Sequence, residues 1–396
     1  MAATDVARER RIRRLLELLR EEKTDLMDTT ESFGPDWFTD PDLARKEREL
    51  IFGAVPTIVA HRSQLPRPND FITLTMPRNK VILMRQKDGS VKAFVNACRH
   101  RGALLEEAPA GRCRIFSCGY HRWSYDPDGS LRTITYEDSF GEIDRSKYGL
   151  VELPVEERHG FIWLVDRAGA SIDVADWLGP EMDSAMAGYG LDKLVNFREE
   201  TFLEPVNWKI MQDAFLDGYH IKYAHPNTAG KIIHTNILAV EDFGRHARFL
   251  SARKTLDRWL EEDPTGKSLG KDVTESHFVG PNSTLLRLPD HFELLTFRPH
   301  ETDPAQCYMQ MRVLVPTVED SGLDEEAWER RWNKNWDILL AVLHGEDFPL
   351  LRGSQRAVES ADAAEMVIGR NEVVNQIFHR EFHRLLKEPY RPSGRP

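Results

Sequence analysis

Four cysteines in 396 residues are too few for a disulfide framework and fit a reducing cytoplasm. Positive charge is also short: the formal net charge is −11, so a partner of nucleic acid is not expected. No apolar run reaches the roughly 18 residues that a membrane-spanning helix needs. The chain does not open on a basic stretch followed by an apolar one, so no secretory leader is expected. Residues 6–23 are arginine-rich, yet Glu9, Glu17, Glu21 and Glu22 argue against a transit peptide. There is no GxGxxG and no flavin-type segment, so dinucleotide chemistry must be supplied by another protein. No internal repeat is evident.

Against that background, two of the cysteines are conspicuously placed. Cys98-x-His100 and Cys118-x2-His121 form two Cys-His pairs with 17 residues between their inner members. Structural zinc sites usually pair Cys with Cys and His with His. Here each half supplies one thiolate and one imidazole, which suits a two-iron cluster with two Cys on one iron and two His on the other. A zinc knuckle is the competing use of the same four residues. Cys113 and Cys307 are left as structural thiols.

With Arg101-Gly102 after the first His, Arg122-Trp123 after the second and a Pro-Asp-Gly turn at 127–129, this stretch resembles the Rieske motif of ring-hydroxylating oxygenases. Respiratory Rieske proteins carry two further cysteines that bridge the cluster loops. Ala103 and Tyr120 stand there instead. The oxygenase pattern commonly has Gly where this chain has Arg122, whose side chain is expected in solvent.

A second set of ligand types lies at 205–225. Asp217 and His220 are three residues apart, about 300° around a helix, and so share a face. His220 and His225 are five apart, about 140° in angle, so a single metal requires the helix to distort or end there. Two imidazoles and one carboxylate with open positions is the facial arrangement of non-haem iron(II) oxygenases. Asn207-Trp208-Lys209, Asp213, Asp217-Gly218-Tyr219-His220 and His225 resemble the same family's catalytic signature, N-W-K-x3-[DE]-N-x2-D-x-Y-H-x4-H. Ala214 departs from it, where the family usually has Asn. The resemblance spans nearly the whole chain.

By that resemblance the third iron ligand is Asp347, in Glu346-Asp347 with Gln355 following; Glu346, Glu359 and Asp362 are the alternatives. Asp217 resembles the carboxylate linking a cluster His (His121) to an iron His (His220), with Asp213 as a supporting acid. Met211, Phe215 and Leu216 are candidates for the substrate pocket. His379-x3-His383 could make a helical metal pair but has no accompanying carboxylate motif, and a surface face is expected.

The fold expected is α+β. A helical segment at 1–35 packs on the catalytic domain or a neighbouring subunit, with Ile12, Leu15, Leu16 and Leu19 at helical spacing. An antiparallel β domain holding the 2Fe–2S cluster spans 36–165. Short strands at 54–60, 71–76, 80–85 and 91–96 and a hairpin at Asp88-Gly89 build it. A catalytic domain at 166–396 has an antiparallel sheet covered by helices. Within it, 174–195 is turn-rich, 205–225 is one helix, and 254–275 is a charged surface excursion. Residues 324–345 form a helix with Trp328, Trp332 and Trp336 inward, a further helix lies near 365–387, and the tail from 387 frays.

What the resemblance implies is a terminal oxygenase that hydroxylates an aromatic or other apolar substrate with O₂ at mononuclear Fe(II). Electrons would come from NAD(P)H through a separate reductase, directly or through a ferredoxin. A homotrimer with or without a beta subunit is implied, each cluster serving the neighbouring subunit's iron. The alternatives are a monooxygenase or demethylase acting on N-methyl, O-methyl or quaternary-amine groups, and a Rieske electron carrier without catalysis.

Overall fold

The computed structural model describes residues 3–262, 269–360 and 362–387; the tail from 388 lies outside them. The chain divides into two compact units, Glu47–Trp177 with Gly190–Asp192, and Met1–Lys46 with Leu178–Tyr189 and Lys193–Pro396. It is α+β, as expected, with antiparallel strands in both units.

In the smaller unit, period-two alternation sorts side chains into two cores. From the Lys80–Arg85 strand, Val81 and Leu83 enter a core with Val59, Ile72, Ala93 and Ile162. Ile82 and Met84 enter another with Phe71, Phe94, Phe116, Trp123 and both ligand-type cysteines, Cys98 and Cys118. The five-stranded sheet runs in the order Glu152–Leu153, Val91–Val95, Lys80–Arg85, Asp70–Thr75, Ala110–Arg112. At the Pro127-Asp128-Gly129 turn only glycine fits: its φ is +88° and a Cβ would stand 2.4 Å from the Phe94 ring.

The boundaries differ from those read in the sequence. Residues 36–46 belong with the larger unit, where the indole of Trp37 donates to His379 Nδ1 (3.1 Å). Residues 166–177 stay with the smaller unit, because Asp166 accepts from Arg78 N and Asn79 Nδ2 at 2.7 Å each, and Glu156 accepts from Val174 N. Gly190–Asp192 belongs there too, His61 Nε2 bonding Leu191 O at 3.1 Å.

The larger unit is built on a seven-stranded antiparallel sheet. Its order is Val195–Glu204, Cys307–Val315, Phe292–Pro299, Ser283–Arg287, Val273–Val279, Ala247–Arg253, Ile233–Asp242. The Ala3–Arg20 helix lays Ile12, Leu15, Leu16 and Leu19 on this sheet's Ile237, Ala239, Leu250 and Ala252. An isolated helix of that length is marginal in water. Burial at about 1.5–3 kcal/mol per large aliphatic side chain holds it in place.

Several sequence expectations need correction here. Residues 174–187 are helical, interrupted at Gly179-Pro180, rather than turn-rich. The charged excursion is shorter than 254–275: Leu256 and Trp259 pack in the core, Glu275 is fully buried on a central strand, and 263–268 lie outside the described residues. The Trp-bearing helix is Glu325–Val342, with Trp332 and Trp336 buried. The last helix begins only at Val373, after a short Met366–Ile368 strand that pairs with Glu31–Phe33.

That small strand pair buries a carboxyl group that no sequence pattern marks. Glu31 is 1% exposed and neither carboxylate oxygen has a hydrogen-bond partner among the described residues. Burial, opposed by Arg380 and aided by Asp213, pushes its pKa up from 4.5 to about 8. An acid raised on folding stabilises the protein below its unfolded value and loses that contribution as pH rises through its folded value. The Glu31→Gln variant should therefore be more stable than wild type at pH 8.5. The gap should shrink toward pH 5, by on the order of 2–4 kcal/mol over that interval. Denaturant midpoints at several pH values measure it; a gap independent of pH would refute the assignment.

Candidate metal centres

The two Cys-His loops of the smaller unit are built on one turn used twice. Cys98 N bonds Ala103 O (2.8 Å) and Gly102 N bonds Cys98 O (2.9 Å); Cys118 N bonds Trp123 O (2.8 Å) and Arg122 N bonds Cys118 O (3.0 Å). Each turn needs a left-handed residue at its fifth position, Gly102 at φ +75° and Arg122 at φ +61°. This is the physical reason a glycine suits position 122. Arg122 bears its conformational cost there with its side chain exposed.

The turns bury both thiols and leave both imidazoles part-exposed, with the His100 and His121 ring centroids 4.7 Å apart. Tyr125 accepts from Arg99 N (2.9 Å), which leaves its own O–H for Cys98 Sγ at 3.3 Å. His121 Nδ1 is buried with no partner among the described residues, as a ligand nitrogen would be. None of the four cysteines is in a disulfide. Two thiols and two imidazoles converging this way fit a 2Fe–2S cluster of the mixed-ligand kind.

In the larger unit, Asn207 organises the second motif. Its Oδ1 caps the Trp208–Ala214 helix by accepting from Lys209 N, its Nδ2 donates to Phe38 O and Pro304 O, and its N–H donates to Gln355 Oε1 (2.8 Å). Lys209 is buried 5.4 Å from the Phe382 ring centroid and 5.5 Å from that of Trp37. The N-W-K triplet is thus a clamp between the helix and its surroundings.

The segment 205–225 is not one helix. The first helix ends at Ala214 and a single turn, Ile221–Ala224, follows, flanked by His220 and His225. Asp217 shapes the break: its Oδ1 accepts from Tyr219 N (2.6 Å), His220 N (3.0 Å) and His220 Nδ1 (2.9 Å). Because the continuous helical path is broken, two rings five residues apart reach a centroid distance of 5.2 Å.

Asp347 ends a π-helical turn, Leu343–Asp347, and completes the set: donor atoms of His220, His225 and Asp347 lie within 4.8 Å of one another. His225 is held at both nitrogens by consecutive carboxylates, Nδ1 by Glu346 Oε2 (2.7 Å) and Nε2 by Asp347 Oδ1 (3.2 Å). Burial would lower the His225 pKa, but Asp347 and then Glu346 outweigh it and raise the value. With Nδ1 taken on each ring, both imidazoles offer Nε2 to the triad. Donors about 2.1 Å from one ion at right angles lie about 3 Å apart, close to the 3.2 Å between His225 Nε2 and Asp347 Oδ1, and the ligand types suit a first-row metal.

Of the other carboxylates considered, Glu346 sits on the far side of His225, Glu359 accepts from Gln355 Nε2, and Asp362 is exposed and outside the group. His379 is not on the surface. It is fully buried, with Nε2 3.0 Å from both oxygens of Asp213, and since Nδ1 accepts from Trp37 the Nε2 proton must be donated to Asp213. His383 is half-buried against Trp37. The helical pattern of 373–386 offered one signal: His379 lies three residues before Phe382 and so shares its buried face.

A cavity of about 520 Å³ opens beside His220 and Asp347. Met211, Phe215 and Leu216 do not line it; Met211 and Leu216 are core residues and Phe215 stacks on Phe297 at 5.4 Å. The first helix instead turns Ile210, Asp213 and Ala214 toward it, so the family's usual Asn position is a wall of the cavity. Glu372 and Asn375, which no motif signalled, line it as well.

Two substitutions separate the roles of the paired carboxylates. Asp347→Ala should lose iron from this site, while the visible spectrum of the cluster stays intact. Glu346→Gln should weaken metal retention or activity by about 10–100-fold, the usual effect of removing a partner behind a ligating imidazole. Metal analysis with absorbance on the same samples tests both, and full iron retention by Asp347→Ala would overturn the ligand set.

Residues 55–149 match the Rieske [2Fe-2S] domain family, and residues 191–388 match the ring hydroxylating alpha subunit (catalytic domain) family. The large subunit of anthranilate 1,2-dioxygenase from Acinetobacter baylyi is 33% identical over 207 residues, covering 50% of this chain and 43% of that protein. The large oxygenase component of a naphthalene 1,2-dioxygenase system from Pseudomonas aeruginosa is 34% identical over 204 residues, with 48% and 43% covered. The matched stretch thus spans less than half the length of these relatives. Among solved structures, a quaternary ammonium Rieske monooxygenase with L-carnitine bound has the same fold, with a TM-score of 0.73, 22% identity and 90% and 96% of the two chains covered. Naphthalene 1,2-dioxygenase from Rhodococcus sp. aligns with a TM-score of 0.70 at 18% identity over 96% and 98%. The chain is therefore a member of the ring-hydroxylating alpha-subunit family, with a Rieske domain preceding its catalytic domain.

Proposed function

We propose that this chain is the terminal oxygenase of a multicomponent system, hydroxylating a small, largely apolar organic substrate with O₂ and externally supplied electrons. The observation that carries this reading is the His220, His225, Asp347 set beside a cavity lined mainly by apolar side chains. A ligand set without a chamber would suit a structural metal, and a carrier has no use for either. His220, His225 and Asp347 would hold an iron(II) that would supply O₂ activation, and Cys98, His100, Cys118 and His121 would hold a 2Fe–2S cluster that would supply an electron.

The chain's own residues do the rest. Glu346 and Asp217 each take a ring N–H, fixing the tautomer and direction of His225 and His220. The buried Leu351 and Val358 give the cavity an apolar wall, which disfavours bulk water at the reacting face. Electrons come from NAD(P)H through a separate reductase, with or without a ferredoxin. The working unit is a homotrimer, with or without a beta subunit, in which the cluster of one subunit serves the iron of the next. Asp217 supports that arrangement: Oδ1 is spent within its own subunit, while Oδ2 has no hydrogen-bond partner among the described residues and remains free to accept from a partner subunit's cluster imidazole. No helix among the described residues is long and apolar enough to cross a membrane.

Asp217→Asn keeps the shape and removes the charge. Cluster reduction by a reductase should stay near normal, while reoxidation by O₂ with substrate present should slow by more than the roughly 10–100-fold expected of an ordinary supporting residue. Rapid-mixing absorbance of the cluster reads this directly. Reoxidation at the wild-type rate would place the electron path elsewhere. Absence of substrate-dependent O₂ uptake, across aromatic and methylated candidates, would remove the oxygenase reading itself.

A further inference from the structure

The cavity has a one-sided polar complement. Ser354 spends its hydroxyl proton on Leu350 O (3.3 Å). Asn375 Nδ2 is spent on Asp213, at 2.9 Å from its backbone oxygen and 3.0 Å from Oδ1. Both of those partners are acceptors, so the amide orientation is settled, and Asn375 Oδ1 is left buried without a donor among the described residues.

Three positions earlier on the same wall, Glu372 Oε2 accepts from Gly369 N (2.5 Å), while Oε1 has no partner among the described residues. No lysine or arginine lines the cavity among the described residues; nearby Arg380 is held by Asp242 and Gly244 O. Burial, then Asp217 and Asp213, raise the Glu372 pKa, the response of a carboxyl that lacks a cation. The wall therefore offers an unspent acceptor and no free donor. A carboxylate, nitro or sulfonate group entering here would meet oxygen against oxygen.

We propose that Glu372 selects the substrate, which carries a protonated amine whose N–H donates to Oε1 while its apolar body lies against Phe33, Phe38, Ile210 and Leu351. This rests on the oxygenase reading above and names the substrate class for the same cavity. An ammonium supplies three donors and one charge, matching the free carboxylate oxygen and lying close to the unsatisfied Asn375 amide. Of the other carboxylates lining the cavity, Asp347 is held by His225, Asp213 by His379 and Asn375, and Asp217 by His220 through Oδ1, its Oδ2 being the atom assigned above to a partner subunit's imidazole, so Glu372 is the carboxylate left to recognise a ligand.

The test uses three probes of one shape: 2-phenylethylamine, n-propylbenzene and 3-phenylpropionate, titrated calorimetrically into the purified, cluster-loaded protein at pH 7. The ammonium should bind at least about tenfold more tightly than the hydrocarbon, and the carboxylate least of all. Glu372→Gln should weaken ammonium binding about 10–100-fold and erase its preference over n-propylbenzene. The cluster spectrum verifies the fold of the variant. Should Glu372→Gln not fold, Glu372→Asp keeps the charge and should keep the ammonium preference. Tighter binding of 3-phenylpropionate than of the amine, or an undiminished amine preference in Glu372→Gln, would overturn the proposal. Binding is read on the resting protein without turnover, so an absence of O₂ uptake would count against the oxygenase reading and leave this result standing.

Discussion

His225, gripped at both ring nitrogens by the consecutive carboxylates Glu346 and Asp347, is the contact on which the catalytic unit depends. Two acids and an imidazole that is 4% exposed make an anionic cluster that a protein interior tolerates poorly without a cation. Placing them together takes three local departures from regular structure. The helix of the N-W-K motif must stop at Ala214, the single turn 221–224 must be re-aimed by Asp217, and the long Trp-bearing helix must pass through a π-helical turn at 343–347. Asn207 and Gln355 then tie the first of these elements to the helix following the last through one buried hydrogen bond. Such departures carry conformational cost, and they cluster at the site, as expected where function rather than stability sets the backbone.

The smaller unit solves a related problem by repetition. The same turn, closed by the same pair of backbone hydrogen bonds, presents a buried thiol and a part-exposed imidazole twice. The arrangement places the soft ligands inside and the titratable, hydrogen-bonding ligands outside. Arg122 shows that the turn tolerates a side chain at its left-handed position provided that side chain can leave for solvent.

Much of this was legible in the sequence because it is encoded in spacing. The two Cys-His pairs stand out from residue types at fixed intervals, whereas His220-x4-His225 and Glu346-Asp347 stand out only through the family resemblance; period-two runs located the strands of the smaller unit. Tertiary packing was not legible. Met211 is as apolar as Ile210, and only the rotation of the helix decides which of them meets the cavity, while Leu216 lies past the helix end in the core. His379 reads as a polar helix position until Trp37 and Asp213 are seen on either side of it. Domain limits moved by about ten residues for the same reason: Trp37 and Asp166 are claimed by distant partners that local pattern cannot see.

We propose that these seven side chains hold two distinct iron sites. Crystallographic anomalous scattering at the iron absorption edge, collected on protein as isolated, tests it most directly. The expected map shows one peak bounded by His220, His225 and Asp347, and a pair of peaks among Cys98, His100, Cys118 and His121. A scattering edge belonging to zinc at the cysteine loops, or a metal ligated through Glu346 with Asp347 turned away, would contradict it.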